Sequence, residues 1–222
     1  MITLYHHWLS PASRLVRVLL TEKRMEFALR LEKEWERRPE FLTLNPAGEV
    51  PVILSTEGKP YSGVRAISEY LEETIPEPKL IPGNAEERYQ VRNLVDWFHT
   101  KFGSEVTRHL VSEKLLKRFL GIGEPDSEAL RCAAHNLKNH LRYIEFLTIE
   151  NNYLAGGQFT MADAAAAAHI TVIDYFGDIR WQDWPGAKAW YSRVKGRRSI
   201  QPLLSDRVSG LTPPSHYADI DF

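Results

Sequence analysis

The sequence predicts a small α/β domain followed by an all-α domain. Hydrophobic residues alternate between strand and helix periods within the first 75 residues, and the remainder after a Pro-rich segment is helical almost throughout. We place the domains at residues 1–75 and 85–205, joined by a linker at 76–84 and followed by a tail at 206–222. This α/β-plus-all-α organisation is the predicted fold class.

The first domain has the predicted order β-α-β-α-β-β-α. Strands are expected at residues 2–5, 27–31 and 50–54 and near Tyr61, because these segments are short, apolar and bounded by turn residues. A helix after Ser13 buries a broad apolar face and turns Arg17, Thr21 and Glu22 toward water. A further helix is expected over residues 64–75.

The second domain has long helical segments at residues 85–111, weakened at Gly103, and at 127–151. Residues 160–176 are small and apolar on all sides, which predicts a buried central helix. Thr160 and Asp163 have the spacing of a capping box at its start. Residues 185–195 and 199–205 complete the predicted bundle.

Composition restricts the possible partners and the compartment. The protein has 222 residues, with 28 Lys and Arg against 29 Asp and Glu, so its charge does not predict binding to nucleic acid. No apolar stretch approaches the roughly 20 residues that span a bilayer, and no signal peptide is evident, so we expect no membrane insertion. The single cysteine, Cys132, favours a reducing, cytoplasmic location and is expected to be a buried or half-buried structural thiol.

His6 and His7 do not form a metal-binding pattern. Neighbouring residues of an extended segment point to opposite faces, and no HxxxH spacing accompanies them. We therefore expect surface or cleft-lining histidines, and no metal site.

Several dispersed motifs resemble the glutathione S-transferase superfamily over residues 1–205. They are N-P-A-G-E-V-P-V at 45–52, R-A-I-S-E-Y-L at 65–71, the cap at 160–163, W-Y-S-R-V at 190–194 and R-S-I at 198–200. The resemblance implies a thioredoxin-like N-terminal domain, an all-α C-terminal domain and a homodimer. It supports the fold more strongly than any activity.

The resemblance also implies a glutathione site. Pro51 would follow a cis peptide bond that exposes the neighbouring backbone, including Val50, to the cysteinyl part of glutathione. Ser10 corresponds to the residue that activates the thiol in serine-type members, since a hydroxyl at a helix N-terminus can donate to a thiolate. The alternative is that Ser10 or Ser13 only caps the helix.

The sequence departs from the family pattern where the γ-glutamyl group would bind. Gly63 and Val64 replace the usual acidic residue and serine, and Glu49 stands where a basic residue is common. Two lost charge-assisted hydrogen bonds weaken binding by roughly two to four orders of magnitude. We therefore expect weak or absent glutathione binding and no cofactor.

The tail ends in an acidic and apolar segment, for which two interpretations stay open. It packs on its own domain, or it is a linear motif in which Tyr217, Ile220 and Phe222 anchor a partner and Asp219 and Asp221 steer it. Removing residues 216–222 is expected to leave the fold intact and to impair partner binding or division function, with a loss of stability only if Tyr217 or Phe222 packs onto the bundle.

The tail and the altered pocket resemble a cell-division branch of the superfamily that binds FtsZ filaments and alters their curvature. This resemblance implies a homodimeric binding protein at the bacterial division site. The alternatives are a serine-type glutathione transferase acting on electrophiles or peroxides through Ser10, and a carrier of a hydrophobic ligand.

Overall fold

The computed structural model describes residues 1–220 and 222. Its N-terminal part contains a four-stranded sheet in the order β2-β1-β3-β4. Strand β1 pairs parallel with β2, and β3 pairs antiparallel with both β1 and β4. The strands are β1 (Ile2–His6), β2 (Phe27–Leu31), β3 (Val52–Leu54) and β4 (Pro60–Ser62).

Helices cover both faces of this sheet. Leu4 and Ile53 pack with the buried residues of the first and third helices, whereas Tyr5 and Val52 pack with Phe41 of the second. A short 3₁₀ turn, Glu34–Glu36, lies between β2 and the second helix. The helices are α1 (Pro11–Glu22), α2 (Pro39–Leu44) and α3 (Val64–Thr74).

The C-terminal part is helical, as predicted. A continuous helical run extends from residue 85 to residue 120 and contains two π-helical segments, Trp97–Thr107 and Ser112–Leu116. The run passes residue 111, where the sequence predicted an end, because no breaker follows before Gly121. Its α-helical pieces and the later helices are α4 (Ala85–Asp96), α5 (Arg108–Val111), α6 (Lys117–Leu120), α7 (Ser127–Leu147), α8 (Met161–Tyr175), α9 (Pro185–Lys195) and α10 (Gln201–Leu204).

Helix α8 is the buried centre of the molecule, and every one of its residues is buried. The predicted cap is present: Asp163 Oδ2 accepts hydrogen bonds from the N–H and the hydroxyl of Thr160, at 2.9 and 3.0 Å. Asp163 Oδ1 also accepts from Leu154 N–H and from Trp190 Nε1–H. A single carboxylate therefore fixes the start of α8, the preceding loop and α9.

Two expectations about the exposure of helix residues are wrong. Arg17 was expected to face water, but only 4% of it is exposed because C-terminal residues cover that side of α1. Cys132 was expected to be buried or half-buried, but it is exposed on α7, where the adjacent Ala133 faces the core. Among residues 1–220 and 222, no helix is long and apolar enough to cross a membrane.

Candidate functional site

A cleft of about 740 Å³ lies between the sheet domain and the helical run. Its N-terminal wall comes from the β1–α1 connection, the 3₁₀ turn after β2, Glu49 and the start of α3. Its C-terminal wall comes from the first π-helical segment, the residues after it and α8. The lining residues important below are His7, Ser10, Glu34, Trp35, Glu49, Gly63, Val64, Arg65, His99, Thr107, Arg108 and His169.

Ser10 caps helix α1 and lines the cleft. Its Oγ accepts a hydrogen bond from Ser13 N–H at 3.2 Å, and Pro11 occupies the first helical turn. The Ser13 hydroxyl in turn accepts from His7 N–H at 3.3 Å. The capping role of Ser10 is confirmed, and because Oγ accepts this bond its own O–H is still able to donate into the cleft.

The backbone before Pro51 already has a partner from within the protein. The Val50–Pro51 peptide is cis, as predicted. Val50 N–H donates to Glu34 Oε1 at 2.8 Å. Burial raises the pKa of the Glu34 carboxyl, the hydrogen bond from Val50 opposes that change, and Glu49 and Glu32 add to it. Nothing in the sequence pattern indicates this contact between residues 16 positions apart.

The N-terminus of α3 faces the cleft, and no side chain caps it. Gly63 is the N-cap residue with φ of 85°, and the first turn has no acidic residue. Val64, which follows it, is half-buried and lines the cleft. The α3 terminus thus presents backbone to the cleft, with no polar side chain at Gly63 or Val64, and weak glutathione binding stays a prediction.

A pair of histidines lines the opposite wall. His99 Nδ1 lies 3.2 Å from His169 Nε2, and His169 Nδ1 lies 2.8 Å from the Thr107 hydroxyl. Burial lowers the pKa of His99 to about 4 and that of His169 well below its usual value, so both rings are neutral at pH 7. His99 Nε2 is buried with no hydrogen-bond partner among the described residues. Sequence reasoning missed this pair because 70 residues separate its members.

His6 and His7 occupy the end of β1 and the residue after it, and both are buried. His7 lines the cleft, as one alternative expected, and its ring packs edge-on against Trp35, which also contacts Phe119 of α6. His6 is neither a surface residue nor cleft-lining: among the described residues neither ring nitrogen has a partner, and burial lowers its pKa to about 3. No group of His, Cys, Asp or Glu able to hold a metal ion occurs in residues 1–220 and 222.

The C-terminal residues form a second polar site, here called the C-terminal latch and defined by Asp206 and Tyr217 with Arg14 and Arg17 of α1. Arg17 donates to both carboxylate oxygens of Asp206, at 2.6 and 2.9 Å. Arg14 lies 3.5 Å from Asp206 and donates to the Tyr217 hydroxyl at 3.2 Å. That hydroxyl donates to Leu203 C=O at 3.1 Å. The latch therefore ties the tail and α10 to the first domain.

The end of the tail contacts the helical domain. Asp174 of α8 accepts hydrogen bonds from Trp181, Tyr191 and His216. Lys195 donates to His216 C=O, and its ammonium lies 3.9 Å from the Phe222 ring centroid. This arrangement matches the packed-tail interpretation.

The expectation that Tyr217 anchors a partner is wrong for this arrangement, because none of its surface is exposed. Phe222, the second expected anchor, packs against Trp181 and Tyr191 of the same protein. Ile220 is half-buried and Asp219 is exposed, so their expected partner role stays a prediction. The same role for Asp221 lies outside the described residues.

The fold, the interdomain cleft and the cis-Pro51 corner define a class of protein, and comparison with known proteins shows the same class. Family models for the N-terminal and C-terminal domains of glutathione S-transferase match residues 4–79 and 111–197. The chain belongs to the glutathione S-transferase superfamily.

Individual relatives match over its full length. It is 46% identical over 223 residues to the FtsZ-localized protein A of Caulobacter vibrioides, covering 99% of this chain and 98% of that protein. The structure of FzlA from C. crescentus has a TM-score of 0.96 at 46% identity, covering 100% of this chain and 99% of that one. A glutathione S-transferase structure from Rhodospirillum rubrum has a TM-score of 0.98 at 50% identity and covers 100% of both proteins.

Proposed function

We propose that this protein is a non-catalytic, glutathione S-transferase-like homodimer that binds FtsZ filaments and regulates their curvature during bacterial cell constriction. The full-length similarity to FtsZ-localized protein A carries the proposal. That similarity extends through the C-terminal tail, which lies beyond both matched transferase domains. The proposed location is the cytoplasm at the division site.

The cleft supports a binding role over a catalytic one. A glutathione transferase holds an anionic tripeptide, but the charged side chains lining this cleft have no net positive charge, with Glu34 and Glu49 against Arg65 and Arg108. Gly63 and Val64 supply no side group that is able to pair with its charged groups.

Exposed aromatic residues support the dimer. Tyr70 on α3 and Tyr89 on α4 are 41% and 60% exposed. They flank a Glu69–Arg92 pair that joins the two helices, and Tyr70 stacks on Tyr61. Exposed aromatic side chains of this kind are enriched at association sites. A symmetric dimer presents each FtsZ-binding surface twice, which increases its avidity for a polymer.

Co-sedimentation with GTP-assembled FtsZ, combined with negative-stain images of filament curvature, tests the binding function. We expect the protein to pellet with FtsZ and to increase curvature. A protein that stays in the supernatant at FtsZ concentrations that saturate assembly would contradict the proposal. Light scattering tests the dimer: a particle of 25.6 kDa at micromolar concentration would exclude it.

A serine-type glutathione transferase is the second candidate, favoured by the position of the Ser10 hydroxyl in the cleft. It predicts turnover of glutathione with a chloronitrobenzene or a hydroperoxide that Ser10→Ala abolishes. Ser13→Ala is the matched control, because Ser13 belongs to the same helix start but is fully buried. Absence of turnover in the unmodified protein would exclude this candidate.

A further inference from the structure

The ring of Phe222 occupies a recess in the helical domain. Trp181 and Tyr191 form the aromatic walls of this recess, with ring centroids 5.3 and 5.8 Å from that of Phe222. The ammonium groups of Lys188 and Lys195 lie 5.0 and 3.9 Å from the centroid of the Phe222 ring. We call the site formed by Trp181, Lys188, Tyr191 and Lys195 the Phe222 recess.

The walls of the recess are held by the helical domain itself. The rings of Trp181 and Tyr191 stack on each other, with centroids 4.8 Å apart and planes inclined by 13°. Asp174 of α8 accepts a hydrogen bond from each of them, at 2.8 and 3.1 Å. Lys188, Tyr191 and Lys195 all lie on α9. The recess is therefore preorganised, and such a site loses little binding free energy to the ordering of its side chains.

Two cations determine which ligand the recess favours. Lys188 and Lys195 attract an aromatic ring through its negative face, and they attract carboxylates beside that ring. Burial lowers the pKa of Lys195 to about 8, and the charges of Asp174 and Asp219 oppose this change, so the group is mostly protonated at pH 7. The recess therefore favours an acidic peptide segment with an aromatic residue. The end of the tail, with Asp219 and Phe222, is a segment of this kind.

The end of the tail is held separately from the C-terminal latch. The latch fixes the chain at Tyr217, which is fully buried. Beyond it, Ile220 and Phe222 are half-buried, and Ile220 Cγ2 lies close to Gly196. Half-buried apolar groups at a chain terminus are held less strongly than buried core residues. The residues after Tyr217 are therefore able to leave the recess while the latch stays in place.

We propose that the Phe222 recess is a binding site for an acidic segment of a partner protein, in which an aromatic residue takes the place of Phe222. The protein's own tail occupies the site until the partner segment displaces it. Because the tail is attached to the domain, it competes at an effective concentration of about millimolar, which excludes weak ligands. The recess and its ligand are defined without FtsZ, so this site does not rest on the proposed function.

The test uses fluorescence anisotropy with the full-length protein and an N-terminally labelled peptide, ADIDF, which has the sequence of residues 218–222. Phe222→Ala removes the ring that fills the recess, so it should bind ADIDF about tenfold more tightly than the unmodified protein does. The peptide ADIDA lacks the aromatic ring and should bind Phe222→Ala about tenfold more weakly than ADIDF.

A second substitution tests the cations of the recess. Lys188→Ala, added to Phe222→Ala, should weaken the binding of ADIDF by about threefold to tenfold, because one of the two ammonium groups is lost. Lys138→Ala in the same background is the matched control, since Lys138 is an exposed lysine of α7. It removes the same charge from the protein and should leave the affinity unchanged.

Each outcome supports or overturns the proposal. Tighter binding of ADIDF to Phe222→Ala, lost with ADIDA and weakened by Lys188→Ala but not by Lys138→Ala, supports it. Equal binding to Phe222→Ala and the unmodified protein, equal binding of the two peptides, or no binding up to about 1 mM protein would overturn it. Equal effects of the two lysine substitutions would show non-specific attraction of an acidic peptide and would also overturn it. If Phe222→Ala melts far below the unmodified protein, Phe222→Leu replaces it, because leucine keeps apolar volume and lacks the ring.

FtsZ is absent from these titrations. Their result leaves the co-sedimentation result unchanged, so failure of the recess proposal is distinguishable from failure of the proposed function.

Discussion

The C-terminal latch and the cleft differ in whether their buried polar groups have hydrogen-bond partners within the protein. In the latch, the buried Arg14, Arg17, Asp206 and Tyr217 all have hydrogen-bond partners within the protein. In and next to the cleft, His99 Nε2 and both His6 ring nitrogens have none among the described residues. The latch therefore stabilises the fold, whereas the buried nitrogens without partners in the cleft region make the fold less stable.

This difference shows what the tail does for the fold. Its Asp206 supplies the anion for two buried arginines of α1, and its His216 adds a third hydrogen bond to the buried Asp174 of α8. In and next to the cleft, by contrast, His99 and His6 keep buried ring nitrogens without partners among the described residues, so this region should respond to ligands and to pH.

Truncation of the tail should have the largest effect. Deleting residues 216–222 removes the fully buried Tyr217 and the His216 bond to Asp174. Loss of a buried aromatic side chain and of two hydrogen bonds should lower the free energy of unfolding by about 5 kcal/mol, against the sequence expectation of an intact fold. Urea denaturation followed by circular dichroism measures it.

The control for this truncation is a variant ending at Asp219, which keeps Tyr217 and His216. It should lose at most about 2 kcal/mol, since only Ile220 and the residues after it are removed. Equal, small losses in both truncations would show that the latch adds little stability.

Breaking the latch at its carboxylate should have the next largest effect. Asp206→Ala leaves two buried guanidinium groups without their anion and should destabilise the fold by about 3 kcal/mol. Arg14 retains Trp8 C=O and Tyr217, and Arg17 retains Pro202 C=O, which keeps the loss moderate. Asp183→Ala, in a pair whose side groups are 75% and 41% exposed, is the control and should change stability by less than about 0.5 kcal/mol. A similar result for the two variants would contradict the stabilising role of the latch.

The unpaired histidine at the end of β1 should give a pH dependence. The pKa of His6 falls to about 3 in the folded protein, so between pH 6.5 and that value the unfolded state binds a proton that the folded state does not. Stability should therefore fall as pH falls, by about 2 kcal/mol between pH 7 and pH 5 from this residue. His6→Phe should reduce that loss, whereas His135→Asn, on the exposed face of α7, should leave it unchanged. Denaturation curves of the unmodified protein and both variants at the two pH values measure this loss of stability.

The smallest expected effect is on glutathione affinity at the α3 terminus. We expect titration calorimetry to give a Kd above about 0.1 mM for the unmodified protein. Val64→Ser restores one hydroxyl and should tighten binding by less than about tenfold. Gly63 is a poor site for restoring the acidic partner, because its φ of 85° strains any other residue. A Kd well below about 0.1 mM for the unmodified protein would contradict the expectation that the cleft lacks the side chains needed to bind glutathione.

Local sequence patterns alone were sufficient for much of the architecture. The alternation at Phe27–Leu31 predicted a strand, and the small apolar run at residues 160–176 predicted α8. The caps at Thr160–Asp163 and at Ser10 follow from hydrogen bonds within a few residues. The absence of the acidic residue and the serine at Gly63 and Val64 could also be predicted, because residue types are read directly from the sequence.

Contacts between distant residues were decided only by the tertiary structure. Arg17 looks like a solvent-facing residue of an amphipathic helix until Asp206, 189 residues later, pairs with it. The Glu34–Val50 bond and the His99–His169 pair are likewise invisible to periodicity. A charged or polar group satisfies its hydrogen bonds with water or with a buried partner, and the choice depends on which segments pack together in the folded protein.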